Sequence, residues 1–114
     1  MIYREQKLVI DNINTGVLTL LEGKVINYIL KDFDIKHIYF DSDTSVSDMK
    51  YFLNLTMDET YELARNLIDK KYVWTMGDDL NKNKLLNATL KTARMHDEWN
   101  EEFAEMHYWG ADSV

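Results

Sequence analysis

Cysteine and proline are both absent from this chain of 114 residues, and glycine occurs only four times. Without cysteine there is no disulfide, no thiolate nucleophile and no Cys-based zinc site. Without proline, and with so little glycine, helices joined by compact turns are favoured over a loop-rich all-β fold. No apolar run approaches the roughly 18 residues of a membrane span. The opening Met1-Ile2-Tyr3-Arg4-Glu5-Gln6-Lys7 has no apolar signal core. A soluble cytoplasmic protein with no membrane partner is therefore expected. Asn54-Leu55-Thr56 and Asn87-Ala88-Thr89 match the glycosylation pattern, which carries no weight without a secretion signal. With no low-complexity tract, repeat or linker, residues 1–114 read as a single domain.

Apolar residues make up 46% and charged residues 29%, an ordinary globular mixture. The net charge of −7 counts against a nucleic-acid binder. Its distribution softens that objection. Residues 1–94 hold all 13 basic residues and 14 of the 20 acidic ones. The surplus is local to Asp97, Glu98, Glu101, Glu102, Glu105 and Asp112.

Lys7-Leu8-Val9-Ile10 reads as a short strand, the segment 11–16 as a turn, and Val17-Leu18 as a returning strand. Helix or irregular chain are the alternatives there. Thr19-Leu20-Leu21-Glu22 fits a capping box. Leu21, Val25, Ile29 and Phe33 then recur every four residues, predicting an amphipathic helix from about Leu20 to Phe33. Gly23 within it costs roughly 1 kcal/mol relative to Ala. Ile35 to Phe40 is β-branched and aromatic, hence a short strand or extended link, and Asp41 to Thr44 is a polar turn.

Ser45 to Leu53 reads as a short helix capped by Ser45 or Thr44, and Asn54-Leu55 as a tight turn. Thr56-Met57-Asp58-Glu59 is a second capping box. The helix behind it carries Thr60, Leu63, Ala64, Leu67 and Ile68 on one face. Tyr72 to Thr75 has strand character, and Met76 to Asn83 is a loop. A long final helix is expected from about Lys84 to Trp109, ending near Gly110.

The stretch from Ser45 to Val73 resembles the bacterial and phage winged helix-turn-helix family. Leu55, Thr56, Leu63, Ala64, Leu67 and Val73 sit where the family pattern wants them. Departures are the bulky Tyr51 and Tyr72, where the family often has Ala and Gly. The resemblance implies a mainly α fold with a small β component, a winged-helix core over 20–83 and a long C-terminal helix over 84–109. In that family the second motif helix enters the major groove with its N-terminal residues towards base edges. By position these are Met57, Asp58, Glu59, Tyr61, Glu62 and Arg65. Arg65 is the best base or phosphate contact, and Tyr61 suits sugar or phosphate. Phosphate candidates are Lys50, Lys70, Lys71, Lys82, Lys84, Lys91 and Arg94, with Lys82 and Lys84 flanking the expected wing.

In the final segment Leu86, Leu90, Ala93, Phe103 and Met106 form a broken apolar stripe around Trp99. It either packs on the domain or makes a homodimer that spaces two recognition helices on successive half-sites. Met95, Trp99, Phe103, Met106 and Trp109, with Glu98, Glu101, Glu102 and Glu105, would also suit a protein interface.

No catalytic constellation is found and no cofactor is expected. His37, His96 and His107 are scattered, and His96-Asp97-Glu98 lacks the second His of a zinc helix. Asp41, Asp43 and Asp48 lack the Gly and final Glu of a calcium loop. Two functions follow. One is a small non-enzymatic regulator of transcription or replication that binds double-stranded DNA. The other is a winged-helix interaction module, or an inhibitor carried by a phage or plasmid, whose acidic surface binds a basic nucleic-acid-binding protein. Asp58, Glu59 and Glu62 on the helix that should read DNA favour the second.

Overall fold

The computed structural model describes residues 6–31, 44–77 and 79–99. Their order is α1 (Lys7–Asn14), α2 (Leu20–Leu30), α3 (Val46–Leu53), α4 (Met57–Asp69), β1 (Val73–Trp74), β2 (Asn87–Ala88) and α5 (Leu90–Ala93).

Local capping sets three of the helix starts. Thr19, Ser45 and Thr56 each accept from the backbone N–H three residues on, and Glu22, Asp48 and Glu59 each reach back to the cap's own N–H. Each box satisfies two donors that the first helical turn leaves open. Asn54, in the left-handed region at φ 56°, ends α3 and turns the chain into Thr56. Helix α4 ends in a Schellman motif, with Tyr72 N–H donating to the Leu67 carbonyl and Lys71 N–H to Ile68. The left-handed residue of that motif is Lys71, at φ 67°, where glycine is usual.

The N-terminal hairpin is corrected: residues 7–14 are helical. Val9 and Ile13 share one helical face, and Val9 is fully buried. That face lies on α2 at Gly23, where an added Cβ would meet Ile13 Cδ1 and, at 2.6 Å, Ile13 Cγ1. Glycine here admits a close helix–helix approach. The caps of α1 come from distant residues. Gln6 N–H donates to Asn27 Oδ1 at 2.9 Å, and Lys7 N–H to Asp97 Oδ1 at 2.9 Å. Gly16, at φ 82°, then turns the chain so that Leu18 is buried.

The continuous helix expected from Lys84 is also corrected. Strand β2 occupies 87–88 and pairs antiparallel with β1, Val73 opposite Ala88 and Trp74 opposite Asn87. Just before β2, Leu85 forms an isolated bridge with Ser45, with Leu86 N–H donating to the Thr44 carbonyl and Val46 N–H to the Lys84 carbonyl. Thr89 then caps α5, a single turn that gives way after Ala93 to turns. Thr89 Oγ1 donates to the Lys71 carbonyl at 2.6 Å and Thr92 Oγ1 to the Tyr72 carbonyl at 2.6 Å, tying α5 to the end of α4. The spacing of Leu86, Leu90 and Ala93 is shared by a strand followed by one helical turn. The expected extended link over 35–40, Phe33, the turn 41–43 and the segment 100–114 lie outside the described residues.

The core gathers Val25, Ile26 and Leu30 of α2, Val46 and Met49 of α3, and Ala64 and Leu67 of α4. Val73, Leu86 and Ala88 of the sheet close it.

Two substitutions test these backbone devices in urea unfolding. Gly23→Val should lower stability by about 1–3 kcal/mol through overpacking, with Ile13→Ala in the same chain recovering part of the loss. Lys71→Gly should raise stability by about 0.5–1 kcal/mol, because it relieves the left-handed strain at some cost in chain entropy.

Candidate nucleic-acid interface

Helices α3 and α4 meet across the Asn54 turn, and α3 is held to α2 by the Tyr28 and Phe52 rings at 4.5 Å. Helix α4 buries Thr60, Leu63, Ala64 and Leu67. Its opposite face turns Asp58, Glu59, Glu62, Arg65, Asn66 and Asp69 to solvent. Met57 and Tyr61 are half-buried and pack against the core, and the Arg65 guanidinium lies 5.8 Å from the Tyr61 ring centroid. Arg65 is thus the one cation on the exposed face of α4.

The loop between β1 and β2 turns at Gly77, φ 76°. The Lys84 ammonium donates to the Met76 carbonyl, across the base of this loop. Its returning arm is clamped to the start of α3, where Ser47 N–H donates to the Lys82 carbonyl at 3.0 Å. The Lys82 side chain is exposed and Met76 is 70% exposed. The Trp74 indole N–H at the loop's root is buried with no acceptor among the described residues.

The proposed phosphate contacts divide by what already holds them. Lys82 and Lys71 are exposed, and Lys50 lies over the Tyr51 ring at 4.8 Å. Lys70 pairs with Glu22 at 2.7 Å. Lys91 donates to the Lys70 carbonyl at 2.9 Å and lies 4.1 Å from the Tyr72 ring centroid. Arg94 is exposed. Of the expected protein-interface residues, Trp99 packs partly against the domain's own core and Glu98 is exposed. Glu101, Glu102, Phe103, Glu105, Met106 and Trp109 lie outside the described residues. His96 is buried, and its Nδ1 accepts from Glu98 N–H, a turn-closing role. Among the described residues no cluster of His, Asp and Glu could hold a metal, and no helix is long and apolar enough to cross a membrane.

The sequence reading missed Glu22. Only 2% of it is exposed, yet one oxygen accepts from Thr19 N–H at 2.9 Å and the other from the Lys70 ammonium. Burial pushes its carboxyl pKa up, but the Lys70 hydrogen bond, the Thr19 N–H and the Lys70 charge outweigh burial and hold it below the usual carboxylate value. The available signal was the capping box itself, which puts Glu22 at the helix start. Its partner 48 residues on leaves no local trace.

Helix-turn-helix, antiparallel strand pair and intervening loop together make this a winged helix-turn-helix. A glycine-to-lysine mutant of S. aureus MepR superposes with a TM-score of 0.55 at 17% identity, covering 86% of this chain and 67% of that one. A crystal structure of an S. aureus MepR–DNA complex superposes at 0.54 and 18% identity, covering 89% and 68%. No protein-family model and no curated protein matches the chain.

The Glu22–Lys70 pair has a definite pH signature. A carboxyl held below its usual value stabilises the fold fully above about pH 4.3, and the gain is lost as pH falls through the lowered folded value. Lys70→Met leaves burial to dominate. At neutral pH it should cost about 1–2 kcal/mol, less than for a fully buried pair because Lys70 is half-exposed. Urea unfolding of both proteins should show the difference closing in acid, as Glu22 is protonated in each.

Proposed function

We propose that this winged helix is a non-enzymatic, cytoplasmic DNA-binding regulator of transcription or replication, acting as a homodimer through its C-terminal segment. The observation that carries the reading is the pairing of exposed Arg65 on α4 with exposed Lys82 on the wing, in a fold shared with a protein captured on DNA. Arg65 would meet a base edge or phosphate in the major groove. Lys82 would grip the backbone from the wing, with Lys50 and Lys71 adding charge. Met57 and Tyr61 would set the height of α4 above the groove floor. Lys70 and Lys84 would act indirectly, by holding α4 and the wing in place.

Duplex binding, followed by fluorescence anisotropy, should weaken steeply with salt. Arg65→Ala should weaken it roughly tenfold or more. Lys82→Ala should reduce the salt slope by about one. No binding at low salt to AT-rich duplex or to the DNA flanking the chain's own coding region would overturn the reading. Light scattering tests the dimer.

The exposed face of α4 favours a second reading, a protein-interaction module or inhibitor carried by a mobile element. Asp58, Glu59, Glu62 and Asp69 outnumber Arg65 there and would repel a polyanion. A basic nucleic-acid-binding protein is the fitting partner, with Glu98, Glu101, Glu102 and Glu105 extending the acidic surface and Trp99, Phe103, Met106 and Trp109 supplying anchors. Neutralising those four glutamates should weaken capture of such a partner; capture indifferent to them would remove this version.

A further inference from the structure

A groove of about 480 Å³ runs between the start of α2 and α4. Its apolar lining comes from Leu20, Leu21, Leu55 and Leu63. Leu20 is 58% exposed and Leu21 39%, although both begin a helix whose other leucine and isoleucines are buried. Val17, 57% exposed, lies just before them in the chain. The polar lining is acidic. Glu22 is neutralised by Lys70, while Glu59 and Glu62 are exposed and, among the described residues, neither forms an ion pair. Glu59 is held ionised by the Thr56 N–H and hydroxyl, which keep its carboxyl pKa below the usual value. The groove therefore combines leucine side chains with two exposed carboxylates that make no ion pair among the described residues.

From this combination we propose that the groove between α2 and α4 docks a basic amphipathic helix of a partner protein. Its apolar residues, one helical turn apart, would lie on Leu20, Leu21 and Leu55, and its Lys or Arg residues would face Glu59 and Glu62. The volume lies in the range of pockets that take large apolar groups. Helix-in-groove recognition uses this layout of spaced apolar anchors within a charged margin. Nucleic acid does not fit: leucines offer phosphate nothing, and the free charges have its own sign. The inference deepens the protein-partner reading but needs neither the acidic C-terminal segment nor DNA binding. Because Glu59 and Glu62 also lie on the exposed face of α4, a docked helix would cover that face and compete with any duplex.

The test uses the full chain and two synthetic peptides of about four helical turns. They share one leucine stripe, and their polar positions are all Lys in one and all Glu in the other. Anisotropy and amide NMR mapping should show the Leu/Lys peptide binding, with shifts concentrated at 19–22, 55 and 59–66, and the Leu/Glu peptide failing to bind. Glu62→Lys, at a solvent-facing position that leaves the fold intact, should weaken binding roughly tenfold. Leu21→Asn should weaken it as well. The quadruple variant Glu98→Gln, Glu101→Gln, Glu102→Gln, Glu105→Gln should leave it unchanged. If the quadruple variant abolishes binding and Glu62→Lys does not, the groove is wrong and the acidic end is the partner site. Equal binding of both peptides, shifts elsewhere, or the same resonances perturbed by self-association without peptide would each overturn the proposal.

Discussion

Glu22 holds together two parts of the molecule that the sequence keeps far apart. One carboxylate oxygen finishes the N-terminus of α2 and the other takes the ammonium of Lys70 at the end of α4. The carboxylate is nearly fully buried, so it is tolerable only while both partners stay in place. That requirement limits how far the end of α4 can move from the start of α2. The consequence spreads outward. The Lys70 carbonyl accepts from Lys91, and the next two carbonyls, of Lys71 and Tyr72, accept from Thr89 and Thr92. The end of α4, the sheet and α5 are thereby fastened at one junction. The exposed face of α4 and the α2–α4 groove inherit their geometry from it.

The legible parts of the fold were those whose causes lie within four residues of each other. Capping at Thr19, Ser45 and Thr56 and the apolar face of α4 are local, and all appear as expected. Helix α1 was illegible because its caps are Asn27 and Asp97 and its packing partner is a glycine. Val9 and Ile10 read locally as strand, and only the approach of α2 decides otherwise. The segment after Asn83 was illegible for a related reason: its extended shape is set by distant partners, Ser45 bridging Leu85 and β1 pairing with Asn87–Ala88. Thr89, noticed only for a glycosylation pattern, was the overlooked helix start.

Side-chain engagement was harder to read than position. Lys70, Lys84 and Lys91 look like ordinary surface lysines in sequence, yet each finds an acceptor within the domain. An internal hydrogen bond does not remove the charge. It does restrain the side chain, and moving the ammonium to phosphate means leaving its present acceptor. Arg65 and Lys82 are exposed as well, and the contact shown for Arg65 is with the Tyr61 ring rather than with an acceptor.

This division limits what one protomer can do on a duplex. Non-specific affinity grows with the number of phosphates neutralised. Of the candidate phosphate contacts, Arg65, Lys71, Lys82 and Arg94 are exposed and Lys50 is half-buried, and four carboxylates of α4 oppose that charge. A single domain with that balance would grip DNA weakly. Two such domains joined through their C-terminal segments would double the phosphate contacts, and the second domain would bind at the effective concentration set by the first. Under the proposed DNA-binding reading, a dimer would matter more to this chain than to a basic winged helix. A partner protein imposes no such requirement, because the acidic face and the leucine groove already lie side by side on one protomer.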